Sequence, residues 1–475
     1  MSQWLPIKEL AVKVRSGELK ASDLVEQALK TIEEKKDYQA VLWTTAERAR
    51  ARAASIDAAI KNGEPVGRLA GVPFIAKDSF LVFGAESTAG SRMLQGFTAP
   101  YQATVIERLE AEGAICVAKA NQDAYGHGVS TENSDYQVSK HPKDMTRVPG
   151  GSSGGSAAAV MLDMAPFALG TDTGGSTRQP ASLVGCVGFK PTYGLTSRYG
   201  VVAMASSTDT VGTLAKTADD VAAVFDIIAG RDPFDGTTIE RDDAGYAEPP
   251  TDIKGKVFGL IKEYMGDGVA VDVKKQIEQA AEKLRAAGAD VQEISLPSLP
   301  LALAVYYIIV PAEVSSNLSR HDGQRYQYSY PDAKDLDESY IKSRGQGFGK
   351  EAKRRIMIGT YVLSSGYYDA YYRKAQLVRT KLINDFNQAF KNVDFLIGPV
   401  SPETAFKVGE ASADPLKAYL LDIMTVAPSL VGIPSVSMPA GNDENDLPVG
   451  LQIMAPQKYD RQLLGIAKKI EELLA

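Results

Sequence analysis

Apolar residues recur at helical spacing through about the first 70 positions and then change to short runs. Ile7, Leu10, Ala11 and Val14 lie three and four apart and stop at Gly17, which predicts a first helix. Ser22 is placed to cap a second helix carrying Leu24, Val25, Ala28, Leu29 and Ile32. The Ala-, Arg- and Glu-rich stretch 45–60 predicts a third. From Gly71 onward, apolar runs at 72–76, 115–118, 167–169, 257–261, 395–397, 436–438 and 451–454 predict buried strands. Segments 103–112, 156–162, 218–229, 273–287 and 373–390 predict the helices between them. This alternation predicts an α/β chain with strands buried under helices. Residues 232–251 are polar and contain Pro233, Pro249 and Pro250, so they predict a surface crossing. Strands before and after that crossing look alike. One large sheet, and a single domain over 1–475 with residues 1–70 packed on it, is therefore expected.

Composition narrows the function classes. Apolar content of 44% and charged content of 23% are ordinary for a globular protein. A net charge of −7, with only short basic runs, argues against this chain alone gripping a nucleic-acid backbone. Cys116 and Cys186 sit among apolar neighbours without a CxxC or CxxH, so buried thiols and a cytoplasmic setting are expected. Lys8 and Glu9 interrupt any secretory signal, and no continuous apolar run approaches the roughly 18 residues that span a bilayer.

The candidate chemistry lies in two glycine- and serine-rich loops. They are Gly150-Gly151-Ser152-Ser153-Gly154-Gly155-Ser156 and Gly170-Thr171-Asp172-Thr173-Gly174-Gly175-Ser176. Neither has the GxxxxGK[ST] or strand-GxGxxG pattern of a phosphate cradle. The first formally matches a G-x-S-x-G elbow around Ser153, but only His321 follows, with no evident acid partner. The chain has three histidines, His127, His141 and His321, so a base of another kind is worth seeking.

Lys77 is the candidate, at the end of the apolar stretch Gly71-Val72-Pro73-Phe74-Ile75-Ala76. A serine hydroxyl needs a base to take its proton. A lysine can be that base only if burial lowers its pKa from about 10.4. The other reading of Lys77, as a structural lysine paired with Asp78 or another acid, stands level with this one on the lysine alone. The glycines of Thr173-Gly174-Gly175-Ser176 suit a loop whose backbone N–H groups converge on an oxyanion.

Together these residues resemble the amidase signature family. The segments 71–78, 150–160 and 170–182 occur in that family's order, with Lys77 75 residues before Ser152 and Ser152 24 before Ser176. Within the family, further segments resemble the glutamine-hydrolysing subunits of glutamyl-tRNA(Gln)/aspartyl-tRNA(Asn) amidotransferases. These are Ser130-Thr131-Glu132-Asn133-Ser134, Phe189-Lys190-Pro191-Thr192-Tyr193-Gly194, Gly347-Phe348-Gly349-Lys350, Lys353-Arg354-Arg355-Ile356-Met357 and the tyrosine-rich run 363–372.

The resemblance implies a fold with one large mixed β-sheet covered by helices on both faces, and residues 71–210 carrying a Ser–cisSer–Lys core. Ser176 is implied as nucleophile, Ser152 as relay on a cis peptide after Gly151, and Lys77 as base. Thr173, Gly174, Gly175 and Ser176 are implied as the oxyanion hole, and Tyr306, Arg355 and Asp422 as the residues that hold L-glutamine. Arg355 suits an α-carboxylate and Asp422 an α-ammonium. The resemblance further implies a heterotrimer with B and C subunits. ATP and magnesium would sit in the B subunit, tRNA would be bound only through the complex, and this chain would need no metal, cofactor or membrane. A stand-alone amidase for another small amide, or a non-catalytic scaffold, is the alternative. One loop departs from the pattern: Asn121-Gln122-Asp123-Ala124-Tyr125-Gly126-His127-Gly128 stands where an Asp-Glu-Phe-Ala-Met-Gly sequence is usual. That departure bears on the shape of the pocket and leaves the triad intact.

Overall fold

Strands throughout this chain join into one mixed sheet in the computed structural model, which describes residues 3–326 and 328–474. In chain order they are β1 (Val41–Thr44), β2 (Pro73–Lys77), β3 (Ile115–Ala120), β4 (Phe167–Asp172), β5 (Val187–Lys190), β6 (Thr210–Ala215), β7 (Val257–Ile261), β8 (Asp290–Ile294), β9 (Phe395–Pro399), β10 (Ser435–Asn442) and β11 (Pro448–Met454). Their order across the sheet is β1-β3-β2-β4-β6-β5-β10-β11-β9-β7-β8. Strand β2 runs parallel to both β3 and β4, and β7 runs parallel to β8 and β9. The six remaining pairings are antiparallel.

Successive side chains of a strand point to opposite faces, and here both faces are packed. In β9, Phe395 and Ile397 enter one apolar cluster while Leu396 enters another. In β11, Leu451 and Ile453 join the first and Met454 the second. Burial on both sides explains why these strands read as continuous apolar runs rather than as alternating ones.

All seven expected strands are present, and four more were not anticipated. Strand β1 corrects the expectation of an all-helical start: Val41, Leu42, Trp43 and Thr44 pair antiparallel with β3 at the sheet's edge. Strand β8 is the opposite edge and sets three polar residues among two apolar ones, Asp-Val-Gln-Glu-Ile, so it carries no apolar run. Strands β5 and β6 are buried throughout yet contain Gly188, Lys190, Thr210, Gly212 and Thr213, which dilute the signal. The cap expected from Ser22 is also corrected. The helix Ala21–Glu34 starts two residues earlier than that cap implies, with Lys20 at the cap position, and its first N–H groups are met by a neighbouring helix: Asp57 accepts from Ala21 N at 2.7 Å and from Ser22 N at 3.1 Å.

The stretch 232–251 crosses without helix or strand, anchored where the ring of Tyr246 lies 4.5 Å from that of Phe225. Cys116 and Cys186 are free and buried, and burial pushes both thiols up to about 12. Among the described residues one helical stretch, Leu299–Arg320, is long and apolar enough to cross a membrane, with a mean hydropathy of 1.5. Within it Val305, Tyr306, Ile309, Val310 and Val314 pack into the second apolar cluster.

Candidate active site

The parallel trio β3-β2-β4 sets the site. Phe74 of β2 lies opposite Cys116 of β3 and Phe167 of β4, so the carboxyl ends of all three strands open on one edge. Three loops leave there: the segment after Lys77, residues 121–133, and residues 173–176. Ligands of α/β sheets gather outside the carboxyl ends of strands in this way.

Lys77 is fully buried. Its Nζ donates to Ser152 Oγ at 2.8 Å and to Thr171 Oγ1 at 2.8 Å. Asp78 does not pair with it. The Asp78 carboxylate turns to Lys119, at 3.0 Å, and accepts from Thr88 and Gly90 N–H groups. Among the described residues Lys77 has no salt-bridge partner, which removes the structural-lysine reading. Burial lowers its pKa to about 7, against the pull of Asp123, Asp172 and Asp209 in the opposite direction. Desolvation therefore outweighs three carboxylates, and the amine can be neutral near physiological pH.

The peptide bond Gly151–Ser152 is cis. The Gly151 N–H donates to Gln179 Oε1 at 2.9 Å, and Gln179 Nε2 donates to Val129 O at 3.1 Å. A Cβ at Gly151 would stand 2.2 Å from Asp123 Oδ2, so only glycine fits. Asp123 accepts from Thr131 N at 2.9 Å and Asn133 N at 3.0 Å, and burial raises its pKa to about 6. Ser153 ties the two glycine loops together. Its N–H donates to Ser176 O at 3.1 Å and its hydroxyl to Thr171 O at 3.2 Å. That commitment, with His321 lying instead beside Tyr125 and Tyr326, leaves the G-x-S-x-G reading without a nucleophile or a base.

The second loop is built on a buried ion pair. Arg178 grips Asp172 in a fork, Nε to Oδ2 at 2.9 Å and Nη2 to Oδ1 at 2.8 Å. Burial raises the Asp172 pKa, but the Arg178 guanidinium prevails and holds it below the usual range. That carboxylate draws in the Gly175 N–H at 2.9 Å and those of Thr177 and Arg178 at 3.3 Å. Gly175 has φ +132, and a Cβ there would meet Thr425 Oγ1 at 2.2 Å. Of the four residues expected to supply oxyanion donors, Gly175 is thus committed inward. The N–H groups of Thr173, Gly174 and Ser176 donate to nothing else among the described residues. Ser176 is partly exposed, and among the described residues no hydrogen bond joins its hydroxyl to Ser152. Catalytic hydrogen bonds that tighten only with substrate are common.

Tyr306, Arg355 and Asp422 come together beside this loop. A Cβ at Gly174 would stand 2.4 Å from the Tyr306 hydroxyl, which places that phenol against the loop. Thr425 Oγ1 donates to Gly174 O at 2.5 Å and to Asp422 O at 3.1 Å, joining the loop to the Asp422 turn. Tyr307 donates to Asp422 Oδ2 at 2.9 Å, and the Arg355 guanidinium lies 5.4 Å from the Tyr307 ring centre. Arg355 Nε donates to Glu351 Oε1 at 2.9 Å, while its two terminal nitrogens donate to nothing among the described residues. Burial raises the Asp422 pKa to about 7 despite Tyr307 and Arg355. A cavity of about 340 Å³ opens at Arg355 and Tyr307, lined also by Gly128, Ser130, Glu351 and Tyr419 among others. That volume suits a small molecule.

Thr171, Asp172, Arg178, Gln179, Tyr307 and Glu351 are site residues that the sequence reading did not single out. Thr171 and Asp172 lay in view inside the second glycine loop. Tyr307 adjoins Tyr306, and Glu351 stands four residues before Arg355 on the helix Lys350–Leu363, the spacing of facing side chains. Among the described residues no cluster of His, Cys, Asp and Glu could hold a metal ion.

A chain that sets a buried lysine against a serine on a cis peptide, below a glycine loop, has relatives. The sequence profile described as Amidase matches residues 23–464. The A subunit of the glutamyl-tRNA(Gln) amidotransferase of Acaryochloris marina is 48% identical over 98% of this chain and 96% of its own. That of Koribacter versatilis is 46% identical over 99% and 98%. The crystal structure of the Thermotoga maritima counterpart matches with a TM-score of 0.81 and 38% identity, covering 98% of this chain and 94% of that one. Near-complete coverage in both directions leaves no large insertion unaccounted for, and the chain belongs to the amidase family.

Proposed function

We propose that this chain is the glutaminase component of a glutamyl-tRNA(Gln) amidotransferase, hydrolysing L-glutamine and supplying ammonia to a partner that amidates the misacylated tRNA. The single observation that carries the chemistry is the buried Lys77 amine, unpaired with any carboxylate among the described residues and 2.8 Å from Ser152 Oγ. The near full-length likeness to the A subunits of such amidotransferases carries the choice of pathway step.

On this reading Ser176 Oγ attacks the side-chain amide carbon of glutamine. Its proton passes to Ser152 Oγ as the Ser152 proton passes to neutral Lys77 Nζ. The N–H groups of Thr173, Gly174 and Ser176 hold the oxyanion. Collapse breaks the C–N bond, the proton returns along the same path to the leaving nitrogen, and ammonia departs. Water then attacks the glutamyl ester, again deprotonated through Ser152, and frees glutamate and Ser176. The free terminal nitrogens of Arg355 take the substrate's α-carboxylate and Asp422 takes its α-ammonium, with Tyr306 beside the reacting loop. ATP, magnesium and tRNA belong to a partner B subunit, a small C subunit completes the complex, and the site of action is the cytoplasm.

Two expected outcomes test the assignment. Glutamine should be hydrolysed at least about thirtyfold better than glutaramate, which lacks the α-amino group, because stranding buried Asp422 costs roughly 2–5 kcal/mol. A comparison of kcat/KM for the two amides decides this, and equal values would favour the stand-alone amidase. Co-expression with B and C subunits should give a stoichiometric complex on size exclusion whose glutaminase rate exceeds that of the chain alone. The acidic chain alone should shift tRNA weakly or not at all in a gel at physiological salt. A chain that stays apart from those partners at full glutaminase rate would defeat the amidotransferase reading.

A further inference from the structure

Asp209 stands just before β6, and the mechanism above gives it no part. Asp172 of β4 and Thr210 of β6 are the last pair of their antiparallel ladder. One residue further, side chains take over from the backbone: Thr173 Oγ1 donates to Asp209 Oδ1 at 2.7 Å. The same carboxylate accepts from Met204 N at 2.9 Å and from Ala205 N at 3.0 and 3.1 Å. Thr173 and Asp209 are both buried. A carboxylate only accepts, so it meets these three donors at once, whereas an amide would have to turn its own NH2 toward one of them.

Those donors belong to two walls of the reaction space. Thr173 opens the loop whose N–H groups are left for the oxyanion. Two other bonds hold that loop, from Gly175 N to Asp172 at 2.9 Å and from Thr425 Oγ1 to Gly174 O at 2.5 Å, and both act on its middle. Asp209 holds the Thr173 end. Met204 belongs to the other wall: a Cβ on Gly126 would stand 3.2 Å from Met204 Sδ and 3.5 Å from Ser152 Oγ. Asn317 Nδ2 donates to Met204 O at 3.1 Å, so that turn is fixed from its carbonyl side as well. One buried carboxylate thus ties the sheet, the glycine loop and the turn beside the relay serine into a single unit.

Resting on the glutaminase reading, we propose that Asp209 is a positioning residue for the oxyanion loop, aiming the Thr173 N–H through the bond it accepts from the Thr173 hydroxyl. That bond fixes the side chain of Thr173 and leaves its N–H free. A donor aimed in advance costs no reorganisation when charge develops on the amide oxygen, so its orientation counts in the transition state more than in substrate binding. Breaking the link should therefore lower kcat and spare KM.

The test uses the full chain with its partners, assayed on glutamine. Asp209→Ala should lower kcat about 100-fold, and Thr173→Val, which keeps the shape and loses the hydroxyl, about 30-fold, each with KM within about threefold. Thr173→Ser restores the hydroxyl and should recover most of the Thr173→Val loss. The double variant should be within about threefold of Asp209→Ala, because both changes break one link. Rates are compared above about pH 8, where Lys77 is neutral, since Asp209 also pulls the Lys77 pKa upward. Losses that multiply in the double variant, a loss carried by KM alone, or a parental kcat in Thr173→Val would overturn the proposal. So would variants that melt earlier yet turn over at the parental kcat, the mark of a purely structural carboxylate. Should Asp209→Ala not fold, Thr173→Val against Thr173→Ser decides alone, and equal rates for those two overturn the inference. A parent complex that leaves glutamine intact would instead sink the glutaminase reading and this inference with it, so the two failures are told apart.

Discussion

Ser176→Ala should abolish glutamine hydrolysis, with kcat falling roughly 10⁴-fold or more, as expected when the nucleophile of a serine-based site is removed. The fold should stand, because the Ser176 side chain is partly exposed and holds no neighbour in place. What ties that residue down is its carbonyl, which accepts from Ser153 N at 3.1 Å and survives the substitution. Transamidation fed with free ammonium should persist at the parental rate in the assembled complex, since only the supply of ammonia is lost. Measuring glutamate release and ammonium-dependent transamidation on one preparation separates the two. Hydrolysis within a few-fold of the parent would remove Ser176 as nucleophile, and Ser152 would then be the hydroxyl to test.

The sheet's centre was legible because its strands are buried on both faces. Runs such as Phe74-Ile75-Ala76 and Phe395-Leu396-Ile397 leave no solvent-facing residue to interrupt them. Its edges were not. β1 is a short, half-buried strand of four residues, and β8 presents Asp290, Gln292 and Glu293 to solvent, which read as loop or helix surface. The helix Ala302–Asn317 escaped for another reason. It is apolar nearly all round and contains Pro311, so neither a 3.6-residue stripe nor an unbroken run marks it.

In the site, Lys77, Ser152 and Ser176 were legible because glycine loops and a lysine after an apolar strand are local patterns. Their partners come from afar. Gln179 fixes the Gly151 peptide, Thr425 reaches the Gly174 carbonyl, and Gln452 accepts from Arg178 Nη1 at 2.6 Å across 274 residues. No local spacing announces such contacts. The commitment of the Gly175 N–H to Asp172 was likewise hidden. A glycine in the sequence shows that the backbone can turn, and not which way its N–H points.

Lys77→Arg should be as damaging as Lys77→Ala, with kcat down about 10³-fold in both, on the scale of losing a general base. Arginine keeps the charge and the hydrogen-bond donors but cannot give up its proton. If the lysine merely anchored Ser152 as a cation, arginine would rescue much of the activity, so near-parental turnover by Lys77→Arg would defeat the neutral-base mechanism. The pH dependence follows from the same amine. With its pKa lowered to about 7 by burial, Lys77 is protonated below that pH and cannot accept from Ser152, so kcat should fall as pH drops through about 7 and level off above it. Asp422, raised to about 7, must be ionised to hold the α-ammonium. It should therefore steepen the acid limb of kcat/KM in the free enzyme. Once the ammonium is bound, its positive charge favours the carboxylate and shifts that titration downward, leaving Lys77 to set the acid limb of kcat. Asp422→Asn should remove the extra steepness from kcat/KM and leave the kcat limb in place. A kcat independent of pH between about 5 and 8 would mean that no proton acceptor titrates in this range, and Lys77 would lose its role as base.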